Sequence, residues 1–558
     1  AVGHQTLRSN SSGSLNVALG LEPLYNNTTG IRNVAIGSPA MYQNTTGSYN
    51  VAIGKDALTA NTTASNNTAV GDSALKSNTT GDNNTAVGSG AADALTTGDL
   101  NVAMGVNALG SAQTADRNVA IGKDALAAFT ATGDTYNVAI GFNAMGSSTT
   151  GSQNAAVGGG AMGSNTTGGS NTALGYFALT SNTTASNNTA VGKSALYANS
   201  TGANNTAVGS QAADAISTGS NNTAVGQGAL TSGTTCDYNV AIGFEALKSA
   251  TTASDNCALG REALKNTTTA NSNCAFGSVS LFTQTDGGTK NCAFGNQTLY
   301  SNTTGDSNCA FGDSALYTNT TGTRNIAIGD YAMGVNTTGS YNIGIGYGAL
   351  DANTTASNNV AVGYLALTAN TTGAGNVAVG SHALLSLTTG GSNTAVGHFA
   401  MDAATTSSSC VAVGRNALTA MTTGASNVCM GDNSGNSITT NSSNTIIGSL
   451  AGNTGNITQC TIMGKGAFAN AQDGDADSIY IGYNCGHNSN AISRNTAVGT
   501  QSLQESHSSN NCAFGYQALL NNTTGSGHNT ALGYEAMRST TDADTNTAVG
   551  ANALYTNQ

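Results

Sequence analysis

Hydrophobic and polar positions along this chain follow one short block that returns every 17 residues. Asn33-Val34-Ala35-Ile36-Gly37 recurs as Asn50-Val51-Ala52-Ile53-Gly54 and again as Asn67-Thr68-Ala69-Val70-Gly71. Numbering the unit from its Asn, position 2 is mostly Thr, Val, Ile or Cys, and position 3 is mostly Ala. Position 4 is Val, Ile, Leu, Phe or Met, and position 5 is Gly. Ala-Leu or Ala-Met usually fills positions 8 and 9, and Asn-Thr-Thr-Gly often fills positions 12 to 15, as at Asn44 to Gly47 and Asn319 to Gly322. A fixed period of this size means units that pack on their neighbours. One short β-rich block per unit predicts an all-β fold, a parallel β-solenoid with one repeat per coil. Thirty-two starts and a truncated unit at Ala1 make 33 coils, a stack of roughly 160 Å at the strand spacing of about 4.8 Å.

Side chains alternate across a strand. Position 4 is always apolar, so it is expected to face inward with position 2, and positions 2, 4 and 9 then make the core column. Position 3 is expected to face outward. It is Ala in 28 of the 33 units, whereas an ordinary exposed position would vary. The constancy predicts a second surface packed along this face, with Ala35, Ala52, Ala69, Ala86, Ala103 and Ala120 as interface residues of a homotrimer or a filament. The other reading is a tight corner. Gly at positions 5 and 15, and Asn at 1 and 12, suit corners that need positive φ. The stacked Asn amides are expected to hydrogen-bond up and down a ladder. Pro23 and Pro39 fall in the turn region, away from the strand.

Two features interrupt the pattern. Cys257, Cys274, Cys292 and Cys309 occupy position 2 on consecutive coils and are expected to stack inside, as small buried hydrophobes or as disulfide staples. Position 3 becomes Cys429, Ile446, Ile462 and Tyr480 on four successive coils, and the Asn-Thr-Thr-Gly corner is lost over 432–494. The chain thus reads as regular repeats over 1–431, an irregular zone over 432–494 and regular repeats over 495–558. The irregular zone is a change of packing, a recognition patch or a decayed stretch. The chain opens and closes mid-coil without a polar cap, which predicts a segment of a longer chain.

Charged residues are 8% of the chain and the net charge is −12 with no basic run, which argues against nucleic acid as a partner. An apolar stretch of about 18 residues, the minimum for a membrane-spanning helix, is absent. No convergent set of titratable residues points to catalysis, so an enzyme is not expected. Gly158 to Gly163 matches GxGxxG but sits at a repeat corner without a βαβ context. His4, His382, His398, His487, His507 and His528 are scattered, without metal-ligand spacing, and solvent exposure is expected for His382 and His398. Asp473, Asp475 and Asp477 begin like a calcium loop. The match then fails, with Ser478 where Gly is needed and Asn484 where Glu is needed, so calcium is a weak candidate and no other cofactor is expected. Asn27, Asn44, Asn78 and Asn302 head glycosylation sequons. Stacked Thr pairs such as Thr45-Thr46 and Thr320-Thr321 raise ice binding as an alternative. Adjacent threonines in a strand face opposite ways, however.

Asn-Val-Ala-Ile-Gly at 33–37, 50–54, 118–122, 137–141 and 239–243 resembles the Ser-Val-Ala-Ile-Gly motif of YadA-type trimeric autotransporter adhesin heads. The wider unit is similar to repeats of phage and virus tail-fibre-like proteins and of bacterial surface proteins. The resemblance covers essentially the whole chain. It implies an extracellular, cell-surface or virion fibre, non-enzymatic, self-associating, and able to bind a host surface or glycan receptor. The adhesin repeat is usually about 14 residues, against 17 here, and the family carries no catalytic residues onto this sequence.

Overall fold

The computed structural model describes residues 1–470, 474–489, 493–542 and 544–557. They form a parallel β-solenoid with no helix among them, and the repeat in sequence is the repeat in space. The chain divides into two compact units, Ala1–Ser278 and Val279–Gln558. The sequence-based boundaries near 431 and 494 both fall inside the second unit.

In the first unit, sixteen three-residue strands run from Val17–Leu19 to Cys274–Phe276, one per coil. Their register equates like positions: Val34, Ala35 and Ile36 pair with Val51, Ala52 and Ile53. The insertion before Asn137 adds a second short pair, Thr114–Asp116 with Thr132–Asp134. In the second unit, sixteen strands run from Cys292–Phe294 to Thr547–Val549 in the same register. Near its end a smaller ladder appears, joining Glu505–Ser506, Asn521–Thr524, Ser539–Asp542 and Thr556–Asn557.

Hydrogen bonding between coils extends beyond the strands. In the coil that starts at Asn50, the backbone N–H groups of Val51, Leu58, Ala60 and Thr62 donate to carbonyls of the following coil at 2.8–3.1 Å, and those of Gly54 and Asn66 donate to the preceding one. Gly54 ends the strand at φ 138°, as expected for position 5. The remaining corners differ from expectation. Gly47 at position 15 and the Asn columns lie outside the left-handed region. Positions 7, 9 and 17 occupy it instead, as at Asp56 (φ 59°), Leu58 (φ 49°) and Asn66 (φ 60°). A left-handed leucine is strained by about 1–2 kcal/mol. It is held by full burial of the side chain and by its N–H bond to Ala74.

The core is also inverted relative to the sequence reading. Asn50, Ala52, Ala57, Leu58, Asn61 and Ala64 are buried, while Val51 is half-buried and Ile53 exposed. Ala35, Ala52, Ala69, Ala86 and Ala120 are 0% exposed and Ala103 1%, so the Ala column faces the inside of its own coil and is not an interface. The reason is volume. A 17-residue coil must already hold Leu at position 9 and two Asn side chains, and only a methyl group fits beside them. Alternation separates two faces without saying which is inner, and the bulkier face is the outer one.

Candidate functional site

The buried Asn columns form one repeating device. Asn50 Nδ2 and Asn61 Nδ2 both donate to the backbone carbonyl of Ala64, at 2.8 and 3.1 Å. Asn50 Oδ1 accepts the backbone N–H of Asn67 one coil on (2.9 Å), and Asn61 Nδ2 also donates to Asn44 Oδ1 one coil back (2.7 Å). Two amides from one coil thus clamp one carbonyl and tie that coil to both neighbours. The expected ladder exists and is internal. This excludes the sequon reading in the folded chain: Asn27, Asn44, Asn78 and Asn302 are all 0% exposed, and each donates from Nδ2 to a carbonyl three residues on. The first Thr of each pair is committed too. Thr45 Oγ1 and Thr320 Oγ1 donate to the carbonyls of Thr62 and Thr337 on the next coil. The second, such as Thr46, is the exposed one, with the first half-buried.

The cysteine stack lies on the outer strand face rather than inside. Cys257 pairs in register with Cys274 in the first unit, and Cys292 with Cys309 in the second; all four are half-buried. Burial is the main influence raising the Cys257 and Cys309 thiols. The fully buried thiols lie elsewhere. Cys429 is pushed up by burial, and Cys485 is pushed up to about 12. His398 is exposed. His382 is half-buried, with its ring stacked 4.9 Å from Phe399 and its Nδ1 2.8 Å from Ser381 Oγ, which corrects the expectation that both face solvent.

The irregular zone keeps its strands. Val428–Met430, Thr445–Ile447, Thr461–Met463, Ile479–Ile481 and Thr496–Val498 pair without a break. What changes is the core. Cys429, Ile446, Ile462 and Tyr480 are all 0% exposed at position 3, and on three of these coils position 9 changes from Leu to Gly435, Gly452 or Gly486. A β-carbon on Gly486 would approach Tyr480 to 2.6 Å, and one on Gly435 would come within 2.8 Å of Cys429. On these three coils volume has moved from position 9 to position 3, whereas the coil at Cys460 buries both Ile462 and Phe468. The zone is therefore a repacked interior, not a decayed one.

The calcium-like cluster does not converge. Asp473 lies outside the described residues. Asp475 is 1% exposed and buried in its coil, while Asp477 is exposed. Among the described residues no group of three or more His, Cys, Asp or Glu is placed to hold a metal ion. Asp475 sits where the clamped carbonyl stands in regular coils, and the neighbouring position-1 residues are Cys460 and Ser478 rather than Asn. Ser478 Oγ donates to Asp475 Oδ1 at 2.8 Å. Burial pushes the Asp475 carboxyl up to about 7. Its second oxygen and the Tyr480 hydroxyl are buried without a hydrogen bond of good geometry.

Three kinds of outward column remain. Position 4 forms an apolar strip, exposed at Ile53, Met104, Leu174 and Leu259 in the first unit and at Phe311, Ile328, Val379 and Val396 in the second, while position 2 beside it is apolar on some coils and Thr on others, such as Thr68 and Thr394. Position 6 and its neighbours carry exposed rings, including Tyr331, Tyr347 and Tyr364. Positions 10 and 17 carry Arg-on-Tyr stacks such as Arg8 over Tyr25 and Arg324 over Tyr341. The sequence reading missed all three because it placed positions 2 and 4 inside and followed no single column outward. No helix among the described residues is long and apolar enough to cross a membrane. Compared with known proteins, the chain matches no family model and no curated protein sequence.

Proposed function

We propose that this chain is a non-enzymatic structural protein, the coiled-repeat part of a fibre or filament at a cell surface or on a virion, which self-associates through its outer strand face and serves adhesion. The exposed apolar strip at position 4 carries the reading. Monomeric proteins rarely expose contiguous apolar patches beyond a few hundred Å². The strip runs along sixteen coils in each unit, and a standard interface needs about 800 Å² from each partner. A second copy of the same strip matches it in chemistry and in coil spacing. Few charged side chains and the resemblance to adhesin-head and tail-fibre repeats agree with an exterior setting. The Thr columns favour ice binding less, since one hydroxyl of each pair is spent on the backbone.

The test is the native mass of the chain by light scattering, beside a variant carrying Ile328→Lys, Val379→Lys and Val396→Lys. The expected result is an oligomer that the variant reduces to a monomer with its fold intact. A wild-type monomer at every concentration reached overturns the self-association. Thermal hysteresis in the same samples would revive the ice-binding alternative.

A further inference from the structure

Position 10 forms a column that can be followed coil by coil. In the second unit Phe282, Tyr300 and Tyr317 stack with ring centroids 5.2 Å apart at each step. The next coil carries Gly334 at this position, and the one after carries Asp351. With no side chain at Gly334, the far face of the Tyr317 ring is uncovered, and a groove of about 390 Å³ opens beside it. Tyr331 and Val335 extend its apolar wall, and Gln297 and Thr318 lie at its polar edge. Tyr317 and Asp351 stand two coils apart, about 10 Å at the strand spacing. The Asp351 carboxylate reaches down to the Gly334 level, so the room for a flat group is the groove beside the ring. Asp351 leans over the gap, since a β-carbon on Gly334 would lie 2.6 Å from its Oδ1. Burial raises its carboxyl, and the only opposing influence is the Gly334 backbone; no cation contributes.

The same chain shows what covers a tyrosine in this setting. Arg8, at position 10, lies 5.2 Å from the Tyr25 ring on the next coil, and Arg538, also at position 10, lies 5.6 Å from Tyr555. At position 17, Arg32, Arg117 and Arg324 cover Tyr49, Tyr136 and Tyr341 in the same way. Arg117 also pairs with Asp134, so one guanidinium meets a ring and a carboxylate together. The planar guanidinium suits both contacts, stacking on aromatic faces and pairing with carboxylates. Beside Gly334 the ring and the carboxylate are present, and the chain supplies no arginine between them.

We propose that the Gly334 notch binds a guanidinium group, the side chain of an arginine carried by a partner polypeptide. Tyr317 provides the stacking face, Asp351 the counter-ion and Gly334 the vacancy. The net charge of −12 favours approach of a cationic partner. In Asp93, beside Gly110 in the first unit, the chain repeats the glycine and the carboxylate, but no ring lines that groove. It serves as an internal contrast.

The test uses the full chain and a blocked tripeptide, acetyl-Gly-Arg-Gly-amide, with saturation-transfer NMR on the peptide protons. Matched peptides carry citrulline or lysine, and methyl glucoside is a sugar control. Saturation is expected on the arginine side-chain protons, with affinity at least about tenfold lower for citrulline, the order expected for losing the charge. Asp351→Asn is expected to weaken arginine binding similarly. Gly334→Arg should abolish it by filling the notch from within, and the chain already carries arginine at this position in Arg8 and Arg538. Asp93→Asn should change nothing. Absence of arginine binding, equal binding of citrulline, indifference to both notch substitutions, or displacement of the peptide by the glucoside each overturns the proposal.

Discussion

At the scale of single residues, two neighbours in one strand have opposite tolerances. Ala52 is fully buried, and Ile53 beside it is exposed. Ala52→Leu is expected to cost about 1–3 kcal/mol by overpacking, whereas Ile53→Lys should stay within about 0.5 kcal/mol when both are melted as monomers. Thermal melts of the two variants check the inversion of the strand directly. Asp475 supplies a pH dependence. Its carboxyl is raised from 3.8 to about 7 in the folded chain. The folded state therefore holds a proton that the unfolded state has released. This contribution to stability is complete below about pH 4 and is lost as pH rises through 7. Local hydrogen exchange around 475–480 should quicken across that window, and Asp475→Asn should flatten the profile. The Asn ladder was readable because stacked amides can bond along it, but its burial was not. The Ala column was readable only as constant, since a small residue satisfies a crowded interior and a close external contact equally well.

At the scale of one coil, positions 3 and 9 share the interior, and on three irregular coils one gains the volume the other gives up. Most regular coils pair Ala with Leu or Met; two carry Ala92 or Ala213 at position 9, with Leu95 or Ile216 at position 12. Three of the four irregular coils pair Cys429, Ile446 or Tyr480 with a glycine. Transplanting that exchange should succeed where half of it fails. Ala69→Ile alone is expected to destabilise the first unit, and Leu75→Gly alone to leave a cavity at a cost of a few kcal/mol. The double variant should recover most of the loss, and a double-mutant cycle in urea measures the coupling. The cysteines divide by the same geometry. Cys257, Cys309 and Cys512 at position 2 are half-buried on the outer face, and Cys429 and Cys485 are buried. Alkylation followed by mass spectrometry should modify the outer group first and reach Cys429 and Cys485 only on unfolding. The spacing of these residues was legible from the repeat. Their direction was not, because it depends on which face the coil can accommodate.

At the scale of the whole molecule, each unit is a stack in which a coil touches only its neighbours. Damage should therefore spread locally. Gly329 has φ 130°, and a β-carbon there would meet the Gly346 carbonyl at 2.6 Å. Gly329→Val should raise hydrogen exchange most in the coils adjoining 325–346, with the effect fading along the second unit; a uniform rise would contradict nearest-neighbour stacking. The sequence by itself determined the coil, its length, its parallel register and the Asn ladder, because those follow from period and from the hydrogen-bonding needs of the backbone. Only the tertiary structure decided which strand face is inner, that the sequon asparagines are enclosed, and that Tyr317, Gly334 and Asp351 share one groove. Those outcomes depend on the cross-section available inside a coil and on which side chains stack over one another 17 residues apart.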